Sequence, residues 1–99
     1  MEIITKQEDE TLTMQIDGNI DTVTAPEFEK ELKISLTDEV SELIFDFEKV
    51  PYMSSAGIRV IMAADKVMQK QGNMKLINVN EEIMEIFEVT GLVDLLNIG

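Results

Sequence analysis

Two kinds of periodicity alternate along this chain, and their order limits what it can fold into more than any other feature. "TLTMQID" at 11–17 alternates strictly, with Leu12, Met14 and Ile16 on one side and Thr11, Thr13, Gln15 and Asp17 on the other. That pattern predicts a half-buried strand. "EIITK", across the acidic tip Glu8-Asp9-Glu10, is its expected hairpin partner. Beyond Gly18 the period turns helical. Thr24 followed by Glu27 reads as a capping box, Pro26 fits a first helical turn, and Phe28, Leu32 and Leu36 recur every four residues. "SELIFDF" is a second strand, running out at Val50-Pro51. Residues 58–71 read as a helix with Val60, Ile61, Ala64, Val67 and Met68 on one face and Gly72 as its C-cap. "MKLINV" is a further strand. Asn80 then N-caps a helix striped by Ile83, Ile86 and Phe87 and closed by Gly91, and "LVDLLNI" is too short to assign.

The order β-β-α-β-α-β-α holds two strand–helix–strand units, which favour parallel pairing through right-handed crossovers. The opening hairpin makes the sheet mixed. The expected fold class is α/β: one domain over residues 1–99, a small mixed β-sheet of an N-terminal hairpin plus parallel strands, with helices packed on it. Ninety-nine residues are enough for one modest core.

Composition then removes function classes. There is no histidine, so a Ser-His-Asp triad and a His general base are excluded. There is no cysteine, which removes disulfides, zinc-thiolate sites and thiol nucleophiles. With 20 Asp and Glu against 8 Lys and Arg, the net charge of −12 repels phosphate backbones and anionic headgroups. Neither nucleic acid nor a membrane is an expected partner; the charge suits a basic protein partner or simple solubility. "MEIITKQEDE" lacks a signal-peptide pattern and no apolar run is long enough to span a bilayer, so the expected location is the cytoplasm. Asp46 and Glu48, alternating with Phe45 and Phe47, read as a solvated strand edge, without the convergent oxygens a cation needs. No phosphate-cradling glycine loop is present, and no cofactor or metal is expected.

One junction stands out. "YMSSAGIRVIM" at 52–62 sets two serines and a glycine between a strand end and a helix start. There a hydroxyl caps free backbone N–H groups, and the positive helix end also accommodates an anion such as a phosphate on serine. A nucleophilic serine does not fit, because the G-x-S-x-G elbow is absent and no histidine takes the proton. Gly57 permits a close approach by another chain. On the helix, Arg59, Met62, Ala63 and Lys66 lie opposite the apolar stripe, where Met62 beside a basic residue suits a partner surface.

"FEKVPYMSSAGIRVI" resembles the central motif of the STAS domain family, the sulfate-transporter and anti-sigma-factor-antagonist domains. Three further stretches agree at matching distances: "GNID", "DTVTAPEFEKEL" and "FEVTGL". The resemblance covers nearly the whole chain. It implies a switch protein of a bacterial partner-switching pathway, an anti-sigma factor antagonist that is not an enzyme. Unmodified, such a protein binds an anti-sigma factor that is also a serine kinase; phosphorylation of one serine breaks the complex, and a phosphatase restores it. Carried over by position, the acceptor is Ser55. Asp21 matches an acidic residue near it, Gly57 and Ile58 match the motif's Gly-Leu, and the implied partner surface comprises Asp21, Ser54, Ser55, Ala56, Gly57, Ile58, Arg59 and Met62. The family's Asp before the acceptor is Ser54 here, and its usual acid after Gly18 is Asn19. Ser54 is therefore an alternative acceptor. An alternative role is an accessory or scaffold STAS subunit of a transport or signalling complex that is never phosphorylated.

Overall fold

The computed structural model describes residues 1–99. Strand β1 (Glu2–Glu8) turns through Asp9, at φ 54°, into β2 (Thr11–Asp17). Helix α1 (Ala25–Ser35), β3 (Glu42–Lys49), α2 (Ser55–Gln71), β4 (Asn73–Ile77) and α3 (Glu81–Val89) follow, with a short 3-10 turn at Leu92–Asp94. The sheet order is β1-β2-β3-β4. β1 and β2 pair antiparallel, while β2–β3 and β3–β4 pair parallel, as two strand–helix–strand crossovers require.

Register explains the core. Leu12 pairs with Leu43, Met14 with Phe45, Leu43 with Met74 and Phe45 with Leu76, so these buried side chains project from one face of the sheet. They meet Phe28 and Leu32 of α1, Val60, Ile61, Ala64 and Met68 of α2, and Ile83 and Phe87 of α3 in one cluster. Phe28 stands edge-on to Phe45 at 5.6 Å between ring centroids, joining α1 to the centre of the sheet. No polar or charged residue is buried. No helix is long and apolar enough to cross a membrane.

Three local expectations are corrected. Helix α2 begins at Ser55, three residues before the expected 58, because Ala56 and Gly57 continue its first turn. Thr24 does not close a capping box with Glu27: it lies at helical φ −92° and ψ −20° and makes no side-chain cap bond. Val67 remains 42% exposed and so leaves the buried stripe. Gly72 does end α2, at an extended φ of 163°; glycine is needed there because a Cβ would run into the Ser41 carbonyl, which accepts from Asn73 N at 2.9 Å. The unassigned C-terminal segment forms the 3-10 turn and then bridges Ile98 to Leu76 on the edge of β4.

Candidate functional site

The site is a seam between two loops. Beyond β2 and β3 the chain pairs once more, Ile20 against Met53. Ile20 N donates to Tyr52 O at 3.0 Å and Ser54 N donates to Ile20 O at 2.8 Å. This pairing draws the loop after Gly18 against the serine junction.

At the junction the two hydroxyls have different surroundings. Ser54 has extended backbone, φ −90° and ψ 177°, and its Oγ accepts from Ala56 N at 3.2 Å. It is the N-cap of α2. Ser55 is the first helical residue and is exposed, and its hydroxyl makes no hydrogen bond within the protein. The hydroxyl thus stands in solvent at the positive end of a 17-residue helix.

Gly57 is buried, and the close approach it permits is within its own chain. A Cβ there would lie 2.6 Å from Ile20 Cγ2 and 2.6 Å from Met53 Cγ. The absent side chain lets the helix start sit on the Ile20–Met53 bridge. This corrects the expectation of contact with another chain. Met62 and Ile58 are half-buried and pack against the core, so Met62 is not the outward residue its position suggested. Ala56 is also half-buried, whereas Arg59 is exposed one turn beyond Ser55.

Asp21 directly follows Ile20 of the seam in the chain, and its carboxylate is engaged locally. Oδ1 accepts from Val23 N at 2.9 Å, Thr24 N at 3.0 Å and Thr24 Oγ1 at 3.2 Å, and Asp21 O accepts from Ala25 N at 2.8 Å. Asp21 therefore organises the turn into α1. The Thr24 hydroxyl also donates to Asn19 O at 2.7 Å, and its oxygen accepts from Asp21 N at 2.9 Å instead of from a helix amide, so the capping box fails. The backbone hydrogen bond from Thr24 is the largest influence holding the Asp21 carboxyl below its ordinary value.

Two exposed apolar side chains beside the seam escaped the sequence reading: Tyr52, 48% exposed, and Val23, 83% exposed. Each is an apolar residue isolated in an otherwise polar or loop segment, with no periodicity to mark it. Elsewhere, Asp46 Oδ1 accepts from Glu48 N at 3.0 Å and from Asn78 Nδ2 at 2.9 Å, a tie between β3 and the end of β4.

The sequence model described as STAS domain matches residues 2–99. The chain belongs to the STAS domain family. Among the proteins to which it is similar is the anti-sigma-B factor antagonist of Bacillus subtilis, 33% identical over 95 residues, covering 95% of this chain and 86% of that one. The anti-sigma-B factor antagonist of Listeria monocytogenes is 30% identical, with 96% and 84% covered. In fold the chain is similar to an anti-sigma factor antagonist from Mycobacterium paratuberculosis, with a TM-score of 0.88 at 21% identity over 98% of this chain and 83% of that one. It is also similar to the phosphorylated form of the Bacillus cell fate determinant SpoIIAA, with a TM-score of 0.76 at 17% identity over 99% and 91%. At those identities the two structures speak for the STAS fold alone.

Proposed function

We propose that this protein is an anti-sigma factor antagonist, a regulatory binding protein whose complex with an anti-sigma factor kinase is broken by phosphorylation of Ser55 and restored by a phosphatase. The observation that carries the reading is the division between neighbouring hydroxyls. Ser54 Oγ is occupied by the Ala56 amide, while Ser55 is exposed at the helix start. Its family membership and its similarity to curated anti-sigma-B factor antagonists support the same role. The binding surface would centre on Ser55 and Arg59, with Tyr52 and Val23 added as exposed apolar contacts and Ala56 at its edge. Gly57, Ile58 and Met62 would act from beneath, by holding the helix start in place.

Ser54 in place of the family's Asp is the feature that favours a constitutively docked, unphosphorylated scaffold subunit. Its observed role weakens that reading. Serine and aspartate are comparable N-caps, so the substitution leaves the start of α2 intact.

Phosphosite mapping on protein purified from its native host, with pull-down of the Ser55→Ala, Ser54→Ala and Ser55→Glu variants, tests the proposal. Phosphate at Ser55, retained in Ser54→Ala and lost in Ser55→Ala, is the expected result. Phosphate confined to Ser54 moves the acceptor by one residue. Equal binding of every captured partner by wild type and Ser55→Glu, with no phosphate on either serine, replaces the switch with the scaffold.

A further inference from the structure

The segment from Val50 to Ser54, which delivers the serine junction, is held from two sides of different kinds. One side is backbone: the Ile20 N–H on Tyr52 O, and the Ser54 N–H on Ile20 O. The other side is a single side chain. Asn80 Nδ2 donates to Val50 O at 3.1 Å and to Pro51 O at 3.2 Å. The same residue's Oδ1 accepts from Ile83 N at 2.8 Å and caps α3. No other side chain from outside the segment bonds to it, and Pro51 offers no N–H of its own to replace the tie. Asn80 needs both ends of its amide for this: the acceptor for the helix, the donors for the loop.

We propose that Asn80 is a positioning residue for Ser55, a strut that locks the serine junction to the start of α3. With the strut in place, the segment leading to Ser55 is ordered before any partner arrives, and a kinase need not order it during phosphoryl transfer. Without it, Val50 O and Pro51 O turn to water, and the segment is held by the Ile20 pairing, the Val50 N–H on Phe47 O and the buried Val50 and Met53 side chains. The phosphorylation arm of the test below rests on Ser55 being the acceptor; the exchange arm does not.

Two variants separate the strut from the cap. Asn80→Ser keeps a good N-cap, but one short hydroxyl cannot also reach both carbonyls. Asn80→Asp keeps the cap oxygen and sets a second oxygen, with no proton to donate, against the two carbonyl oxygens. Amide hydrogen exchange at Ser54 and Ala56 should accelerate about tenfold in both variants relative to Phe45 in β3, the change expected when two ordinary hydrogen bonds are lost from a segment still held elsewhere. With the purified partner kinase and ATP, kcat for phosphate transfer should fall about tenfold while KM stays within about twofold, since the exposed docking residues are untouched. Unchanged exchange at Ser54 and Ala56 overturns the strut. So does acceleration equal to that at Phe45, which reports global loosening. Unchanged kcat in a protein phosphorylated at Ser55 overturns the positioning role. If wild type accepts no phosphate, the functional reading fails, and the exchange data alone decide the strut.

Discussion

Removing the Ser54 hydroxyl unties the Ala56 amide, and Ser54→Ala should destabilise the fold by about 1 kcal/mol, as loss of an N-cap does. Ser54→Asp should restore it, because a carboxylate caps as well and favours the positive helix end. Urea denaturation of the three proteins checks this; equal midpoints for wild type and Ser54→Ala would show that the cap bond contributes nothing. Asp21 gives a pH signature at the same scale. Its carboxyl is held below its ordinary value of 3.8 in the folded protein, chiefly by the Thr24 backbone N–H. The unfolded chain then binds the proton more readily, so the charge stabilises the fold above the unfolded value and loses that effect as pH falls through the folded one. Asp21→Asn keeps an acceptor oxygen and removes the charge. Its melting temperature should lie below wild type at pH 7, and the gap should close as pH falls below 3.8. A gap independent of pH would assign the effect to shape alone. Asp21 directly follows Ile20 of the seam, but no pattern in "NIDTVT" says that its carboxylate turns inward on its own turn.

Helix starts were the hardest elements to read, and each miss has a local cause. Thr24 and Glu27 have the spacing of a capping box, but the turn begins earlier, at Asp21, which leaves Thr24 already helical. For α2, Gly57 argues against helix on propensity; the packing of Ile20 and Met53 against a position without a Cβ outweighs that preference. Gly57→Ala tests the packing. Helix propensity alone would make it stabilising, whereas contacts at 2.6 Å on two buried side chains should make it destabilising by about 1–3 kcal/mol. Thermal unfolding followed by circular dichroism gives the sign, and a raised melting temperature would mean that Ile20 and Met53 move aside freely. The interior of each element was legible, since Leu12-Met14-Ile16 and Ile83-Phe87 bury as their periods require. Val67 was not, because the groove it lines between α1 and α2 stays open, and no period reports where two helices stop touching.

For the molecule as a whole, the order of periodicities sufficed for the connectivity, because two strand–helix–strand units leave few ways to arrange four strands. The bridge from Ile98 to Leu76 was out of reach, since one residue pair carries no period. The same architecture bears on what a phosphate at Ser55 can do. The exposed hydroxyl lies at the start of α2, so a phosphate there adds nearly two charges to a chain of net −12 without entering the core. The helix end favours it by about 0.3–1 kcal/mol, and repulsion from distant carboxylates is screened beyond about 8 Å at physiological salt. The fold should therefore survive. An interface reverses the sign: a new charge about 4 Å from a partner carboxylate costs about 4 kcal/mol at an effective dielectric of 20. That is close to a thousandfold in affinity. Calorimetric melting of the phosphorylated protein should give a melting temperature no lower than that of the unmodified one, while titration against the anti-sigma factor should show Kd raised about a thousandfold. Ser55→Glu, with one charge, should fall between the two in Kd and match both in melting. A phosphorylated protein that melts several degrees lower and binds correspondingly weakly would place the switch in the fold instead of in the interface.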